Sequence, residues 1–397
     1  MKSISAALNF LKRWPVHGLV VLCGFSIADL SAGNSTPVAI LGGQQDAPYA
    51  AILKPDGSLK KVRGLPAKGL TYRVAINTSG KAIFGGTRDL NAYAAFVAAS
   101  GKLTPIEGLL APGEIYTVAI SGSGRGIVGG GHFKSNAPYA ALVAPNGSAI
   151  SLALPATGLI YCVNFDPSQR GILAGKGPGD SAYAALVSTK GAVTPLAGLP
   201  EKGAIFWISV KSNKVFIGGQ NNDSAYAAYI SSAGLVTPIA GLPKGANYSV
   251  AINGAGLGIT GGVSQNHPYA ALVSRNGAAR RIKHLPVAKG IIYNVAINDS
   301  GTALIAGLAA DRPYGAFVAR NGALTRLKGL PTGKGFLDGI ALDRSGYALV
   351  GGESDGAPFL ALAAPDGRLT FIGGLPDNGA INTIASNHLG RIISVFK

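Results

Sequence analysis

The sequence predicts an all-β protein, a single eight-bladed β-propeller with four antiparallel strands in each repeat of about 44 residues. Three observations carry that prediction. A short aromatic-Ala motif recurs eight times, at Tyr49, Tyr93, Tyr139, Tyr183, Tyr226, Tyr269, Tyr314 and Phe359, with separations of 44, 46, 44, 43, 43, 45 and 45 residues. Each period divides into four segments of five to eight residues, apolar or alternating and bounded by Gly, Pro, Asn or Ser, and no window sustains a helical period. Composition agrees: 58 Gly and 23 Pro fall in step with the repeat, and 47% hydrophobic content argues against disorder. A closed repeat array accommodates 397 residues as one domain.

Taken in order, residues 1–32 carry two readings. Lys2, Lys12 and Arg13 precede an apolar run from Gly18 to Ala28, and small residues follow at Ser31, Ala32 and Gly33, which is the order of an export signal. The run is too short for a membrane-spanning helix, and Asp29 ends it. The second reading is a decayed repeat: Ala7 to Pro15 matches Ala323 to Pro331 at five of nine positions. Export would place the protein in the periplasm or outside the cell, with no integral membrane domain once the signal is removed. Cysteine usage is silent on the compartment, since only Cys23 and Cys162 occur.

Residues 37–397 form the repeat array, and the four strands of a period are lettered by their wording. Strand A carries Val-Ala-Ile-Asn, B ends in Gly-Gly, C carries Tyr-Ala-Ala and D ends in Leu-Pro. C passes to D through pairs such as Asn146-Gly147 and Asp366-Gly367, and A to B through Ser79-Gly80 or Ser345-Gly346. These are tight-hairpin sequences, because their positive φ matches strand twist. Proline lacks the N–H that a central strand needs, so Leu65-Pro66 and Leu375-Pro376 mark the ends of D strands. Eight C–D pairs but seven complete A–B pairs are present, so terminal strands must close the ring. Val38–Gly43 is B-like, Asn382–Asn387 A-like and Arg391–Phe396 B-like, which leaves one terminal B strand surplus.

The wording Val-Ala-Ile-Asn-x-Ser-Gly, Gly-Gly, Tyr-Ala-Ala and Leu-x-Gly-Leu-Pro resembles bacterial extracellular propeller repeats of the HAF type, and NHL-like blades through Asp-Gly followed by Leu-Pro. The resemblance covers nearly all of residues 37–397. It implies the propeller fold and no particular activity, since such repeats occur in binding modules and enzymes alike.

Strand polarity sorts the loops. A–B and C–D turns emerge on one face, and the longer B–C and D–A loops on the other, where function is expected. Three recurring sets fall on that second face: Lys68, Lys202, Lys244, Lys289 and Lys334 in D–A loops; Asp46, Asn136, Asp180, Asp223, Asn266 and Asp311 before the motif aromatic; and Tyr72, Tyr116, Tyr161, Phe206, Tyr248 and Tyr293 at the start of strand A. Asp338 and Asn382 break the aromatic series in the last two repeats. The plain reading of these sets is turn capping, gap filling between blades and solvated charge. The functional reading joins the lysines with Tyr72, Tyr116, Tyr161, Tyr248 and Tyr293 into a basic, aromatic-studded binding face.

Charge favours an anionic partner. The chain is +17, and without residues 1–32 it keeps 32 basic and 17 acidic residues, or +15. Basic runs such as Lys60-Lys61-Val62-Arg63 and Arg280-Arg281-Ile282-Lys283 lie on D strands, where lysine and arginine also shield a sheet edge. No histidine pair has metal-ligand spacing, and Gly129-Gly130-Gly131 opens no helix, so neither a metal nor a phosphate-loop cofactor is expected. The least regular units, Tyr161 to Asp166, Trp207 with Lys211, and Asp338 with Asp343, hold the catalytic candidates, and several of Asp166, Lys211, Asp338 and His132 converging on one cavity would mark an enzyme. The expectation is therefore an exported, monomeric, non-enzymatic binder of an anionic glycan, an envelope polymer or a protein, with nucleic acid disfavoured. The alternative is a lyase or hydrolase acting on a polyanion at the central opening.

Overall fold

The computed structural model describes residues 37–387, Asp46 and Phe133 excepted. It contains eight four-stranded antiparallel sheets, each ordered A-B-C-D, arranged as a ring. The innermost strands are Gly69–Ile76, Glu114–Ile120, Leu159–Phe165, Gly203–Lys211, Ala246–Ile252, Gly290–Ile297, Gly335–Leu342 and Ala380–Ser386, and each packs against the next around the circle. We number the blades so that blade 2 begins at Gly69 and blade 8 at Gly335. The D strands are three-residue pieces whose last side chain is exposed, such as Leu59–Lys61 and Leu324–Arg326. Among the described residues the one helical element is a 3₁₀ turn, Pro178–Asp180, and no helix is long and apolar enough to cross a membrane.

Ring closure follows the expectation for the N-terminal strand. Ala39–Gln44 is strand B of blade 1, and it pairs with the C-terminal Ala380–Ser386 as that blade's strand A. Val38 lies just before this strand, which extends one residue past Gly43. The other B-like segment, Arg391–Phe396, and the signal-like residues 1–32 lie outside the described residues.

The hydrophobic core is a circle of eight clusters, each sandwiched between two neighbouring blades, with a small ninth of Leu308, Phe336 and Ala380 against Tyr293. The motif explains this arrangement. In the cluster between blades 2 and 3, Tyr139 and Ala141 of strand C meet Ala94, Phe96 and Ile106 of the preceding blade. The Asn of Val-Ala-Ile-Asn does two jobs. Asn77 Oδ1 accepts from the backbone N–H groups of Ser79 and Lys81, capping its own A–B turn, while Nδ2 donates to the Ser121 carbonyl of the next blade at 3.1 Å. Asn253 and Asn298 repeat the inter-blade bond, and Asn387 donates to the Thr78 carbonyl across the chain termini.

Gly-Gly is explained by a β-bulge. In every blade strand A carries one extra residue opposite this pair, which is Ala-Gly in blades 4 and 7: Tyr72, Tyr116, Tyr161, Phe206, Tyr248, Tyr293, Asp338 and Asn382. The bulge carries strand A over the second glycine, so that a Cβ at Gly86 would run into the Leu70 carbonyl oxygen and one at Gly262 into that of Ala246. The first glycine admits the next blade instead. A Cβ at Gly85 would lie 2.6 Å from side-chain atoms of Ile115 and Val118.

D-strand cations act between blades. Lys60 Nζ donates to the Ser100 carbonyl at 2.6 Å, and Arg280 donates to the Arg320 and Asn321 carbonyls at 2.6 and 2.7 Å, in both cases on the next blade's C–D turn. They close the outer sheet edge and bind neighbouring blades together.

Candidate functional site at the axial mouth

The bulge gives the site its geometry, because the extra residue of each strand A points its side chain toward the axis on the B–C/D–A face. Tyr72, Tyr116, Tyr161, Phe206 and Tyr248 form a continuous arc with successive ring centroids 5.8, 6.4, 5.8 and 5.8 Å apart. The break expected at Asp338 is partly mended. Phe336, two residues earlier on the same strand, meets the Tyr293 ring edge-on at 6.4 Å. Seven aromatics, one from each of blades 2 to 8, thus surround the mouth, and blade 1, with Asn382, adds no ring.

Below the collar the axis is filled. Arg73 of blade 2 and Trp207 of blade 5 stand three blades apart in the ring, yet the guanidinium carbon lies 5.1 Å from the indole centroid. Both are buried, at 0% and 1% exposure, so at this level the propeller has a plug rather than a channel. Asp338 completes the plug from blade 8. Burial pushes its carboxyl well above the ordinary carboxylate range, and the Arg73 charge opposes that shift. A hydrogen-bonded line runs to it across three blades: Ser249 Oγ donates to Asn294 Oδ1 at 3.3 Å, and Asn294 Nδ2 donates to the Asp338 carbonyl at 2.9 Å.

Sequence reasoning missed two residues of this site. One is Arg73, hidden inside an ordinary strand wording. The other is Glu114, whose carboxylate accepts hydrogen bonds from the Tyr72 and Tyr116 hydroxyls. Burial raises the Glu114 carboxyl, and the two tyrosine bonds oppose the shift. Glu114 in turn adds to the desolvation that raises both phenols. Its signal was available: the corresponding positions of the other blades are Leu70, Leu159, Ala204, Ala246, Ile291, Phe336 and Ala380, so one charged residue interrupts an apolar column.

The lysines are where strand polarity puts them. Lys68, Lys202, Lys244, Lys289 and Lys334 are exposed, and each stands four residues before its blade's bulge. At ~3.3 Å per extended residue they lie roughly 13 Å up the strand from the collar. The Asx-bearing loops share this face. Backbone N–H groups of Gly158, Gly245, Gly290 and Gly335 donate to the carbonyls of Asn136, Asp223, Asn266 and Asp311, and Lys202 Nζ donates to Gly179 O at 2.9 Å. Asn136, Asp180, Asn266 and Asp311 take positive φ, which is the turn role read from sequence. Asp46 lies outside the described residues. Carboxylates also reach the collar, Asp180 adding to the burial that raises Tyr161 to about 12.

The four catalytic candidates do not converge. Asp166 caps the A–B turn of blade 4: burial would raise it, but hydrogen bonds from Ser168 and Arg170 prevail and hold it low. Lys211 lies on the same face, 3.6 Å from Asp299. His132 sits in a B–C loop, where Nδ1 accepts from the backbone N–H groups of Lys134 and Ser135. Only Asp338 belongs to the axial site. No group of three potential metal ligands occurs among the described residues.

No protein-family model matches the chain, and no curated protein matches its sequence. Solved structures do match in fold. The dihydro-heme d1 dehydrogenase NirN superposes with a TM-score of 0.65 at 13% identity, over 98% of this chain and 86% of that one. The Dos1 propeller gives 0.60 at 15% identity over 79% and 86%. Virginiamycin B lyase from Staphylococcus aureus gives 0.54 at 13% identity over 70% and 90%. The chain is therefore a β-propeller repeat protein, similar in architecture to enzymes and to others, and identity at this level carries the fold alone.

Proposed function

We propose that the protein is an exported binding module that holds an anionic glycan at the axial mouth of its B–C/D–A face. The observation that carries this reading is coaxial order: five exposed lysines stand at the rim, an arc of aromatic rings at 5.8–6.4 Å lies beneath them, and a buried plug closes the floor. Lysines draw an anionic polymer in at long range. Tyrosine and phenylalanine faces offer apolar surface to the faces of sugar rings, and Glu114 accepts hydroxyl hydrogen bonds. An envelope polymer and an acidic protein surface are the neighbouring choices that the same rim would attract.

A second reading rests on Glu114. A carboxyl raised by burial and flanked by two phenols has the makings of a general acid in a lyase or hydrolase of a polyanion. One experiment tests both. The full chain is titrated with acidic and neutral polysaccharides over a range of salt, alongside the variant carrying Lys68, Lys202, Lys244, Lys289 and Lys334 as Gln and the variant Glu114→Gln. Binding to acidic polymers with a salt dependence that flattens in the five-lysine variant supports the module. Unchanged affinity and salt dependence overturn it. Chain cleavage that is lost in Glu114→Gln selects the enzyme.

A further inference from the structure

Blade 7 departs from the repeat at two places that meet a third residue, Arg326, in one groove. Two residues before the motif aromatic the other blades carry Ala47, Asn91, Ala137, Ser181, Ser224, His267 and Ala357, but blade 7 carries Arg312. Just after the aromatic they carry six alanines and Leu360, but blade 7 carries Gly315. The end of strand D adds a second arginine, Arg326; blade 6 has Arg281 and blade 1 Lys61 at this position, but neither has an arginine two residues before its motif aromatic. All three line a groove of about 520 Å³, which falls within the span of small-ligand sites. The D–A loop entering the blade contributes Pro286 and Val287, and the loop leaving it contributes Leu330 and Pro331. Val287 is 90% exposed, an unusual place for a branched apolar side chain with nothing to cover it. The groove is thus apolar along its walls, with a guanidinium contributed by each of two strands. Neither arginine has a carboxylate partner among the described residues, whereas Arg170 and Arg368 elsewhere do.

We infer that this groove is a second binding site, separate from the axial mouth, for a carboxylate carried on an apolar body. A planar guanidinium matches a carboxylate in two parallel hydrogen bonds, which a lysine cannot do. Proline, valine and leucine walls offer apolar surface to the body of the ligand. Two sources present this chemistry, a free aryl or branched-chain acid and the C-terminus of a peptide ending in an apolar residue. The inference does not depend on the axial reading, because no residue is shared.

The test uses the full chain and three probes in calorimetric titration: 4-phenylbutyrate, an acetylated tripeptide ending in leucine, and the same tripeptide as its C-terminal amide. The disabling variant is Arg312→Ser with Arg326→Pro, which installs the residues that blades 4 and 5 carry at these positions, so the strands keep their pairing. Far-UV circular dichroism and the melting temperature verify that this variant folds, and Arg312→Lys with Arg326→Lys keeps the charge while removing the planar fork. Saturable one-to-one binding of either acid is expected, weakened about tenfold or more by the Ser/Pro variant. Weakening by the lysine variant is also expected, with no binding of the amide. Preference for phenylbutyrate identifies a small acid as the natural chemistry, and preference for the peptide acid identifies a chain terminus. Failure of both acids to saturate at millimolar concentration overturns the inference, as do equal binding of acid and amide or affinity unchanged in the Ser/Pro variant.

Discussion

Replacing Trp207 by alanine tests the axial plug. The side chain is 1% exposed, and truncating a fully buried tryptophan costs about 3–5 kcal/mol. Part of that cost is the contact with Arg73, 5.1 Å from the ring centroid in a site closed to water. A desolvated cation–π contact is worth about 2 kcal/mol. A double-mutant cycle separates the two. Trp207→Ala, Arg73→Met and the double variant are unfolded in urea and followed by far-UV circular dichroism. We expect a coupling of about 1–2 kcal/mol between side chains of blades that share no interface. Fluorescence supplies an independent reading. With Trp14 changed to phenylalanine, Trp207 is the sole tryptophan of the chain, and its quenching by acrylamide should rise when Arg73 becomes serine. Coupling below about 0.5 kcal/mol, the ordinary scatter of independent sites, would mean that the guanidinium and indole do not meet and that the axis is open.

Three further outcomes are expected. Gly86→Ala should cost roughly 3 kcal/mol or more, since its Cβ would meet the Leu70 carbonyl rather than a yielding side chain, whereas Gly373→Ala, with nothing within 4 Å, should be nearly neutral; thermal melts of the two compare them directly. Asp338 has a folded-state pKa raised by burial, so the stability linked to its proton is complete below the ordinary aspartate range and is lost as pH rises through the folded value. The melting temperature of the wild type minus that of Asp338→Asn should accordingly fall with rising pH, and a flat difference would refute it. Removing residues 380–397 strips blade 1 of its inner strand and bares the edge of Ala39–Gln44, so a lower melting temperature and concentration-dependent light scattering are expected.

The architecture was legible because its causes are local and repeated eight times. A tight-turn pair, a proline at the end of D and a glycine pair each do one job per blade, and repetition raises a weak signal above noise. Even the bulge was half visible, since Tyr72 and its counterparts were singled out at the residue where strand A turns inward. The plug was legible only as separate residues, since Trp207 and Asp338 stand out from the repeat while Arg73 does not. Arg73, Trp207 and Asp338 meet because a circle brings blades 2, 5 and 8 to one axis, and periodicity along the chain says nothing of what lies opposite. Glu114 stands as the lone charge in an apolar column, but that column has no wording of its own, so the exception goes unseen. The same blindness covered Arg312 and Gly315. In a repeat protein the consensus describes the scaffold, and the departures from it are where specificity is to be sought.

Blade 1 has a consequence in time. Its strand B is among the first parts of the repeat array to leave the ribosome, but the strand that completes its sheet ends at Ser386. At about 5–20 residues per second the first strand waits roughly 20–70 s for its partner. Through that interval seven blades can stack in order while an unpaired edge stays at the N-terminal end of the array. An exported chain would meet the same delay during translocation, so a factor that shields Ala39–Gln44 until the last strand arrives would raise the yield of closed rings without touching the stability of the finished one.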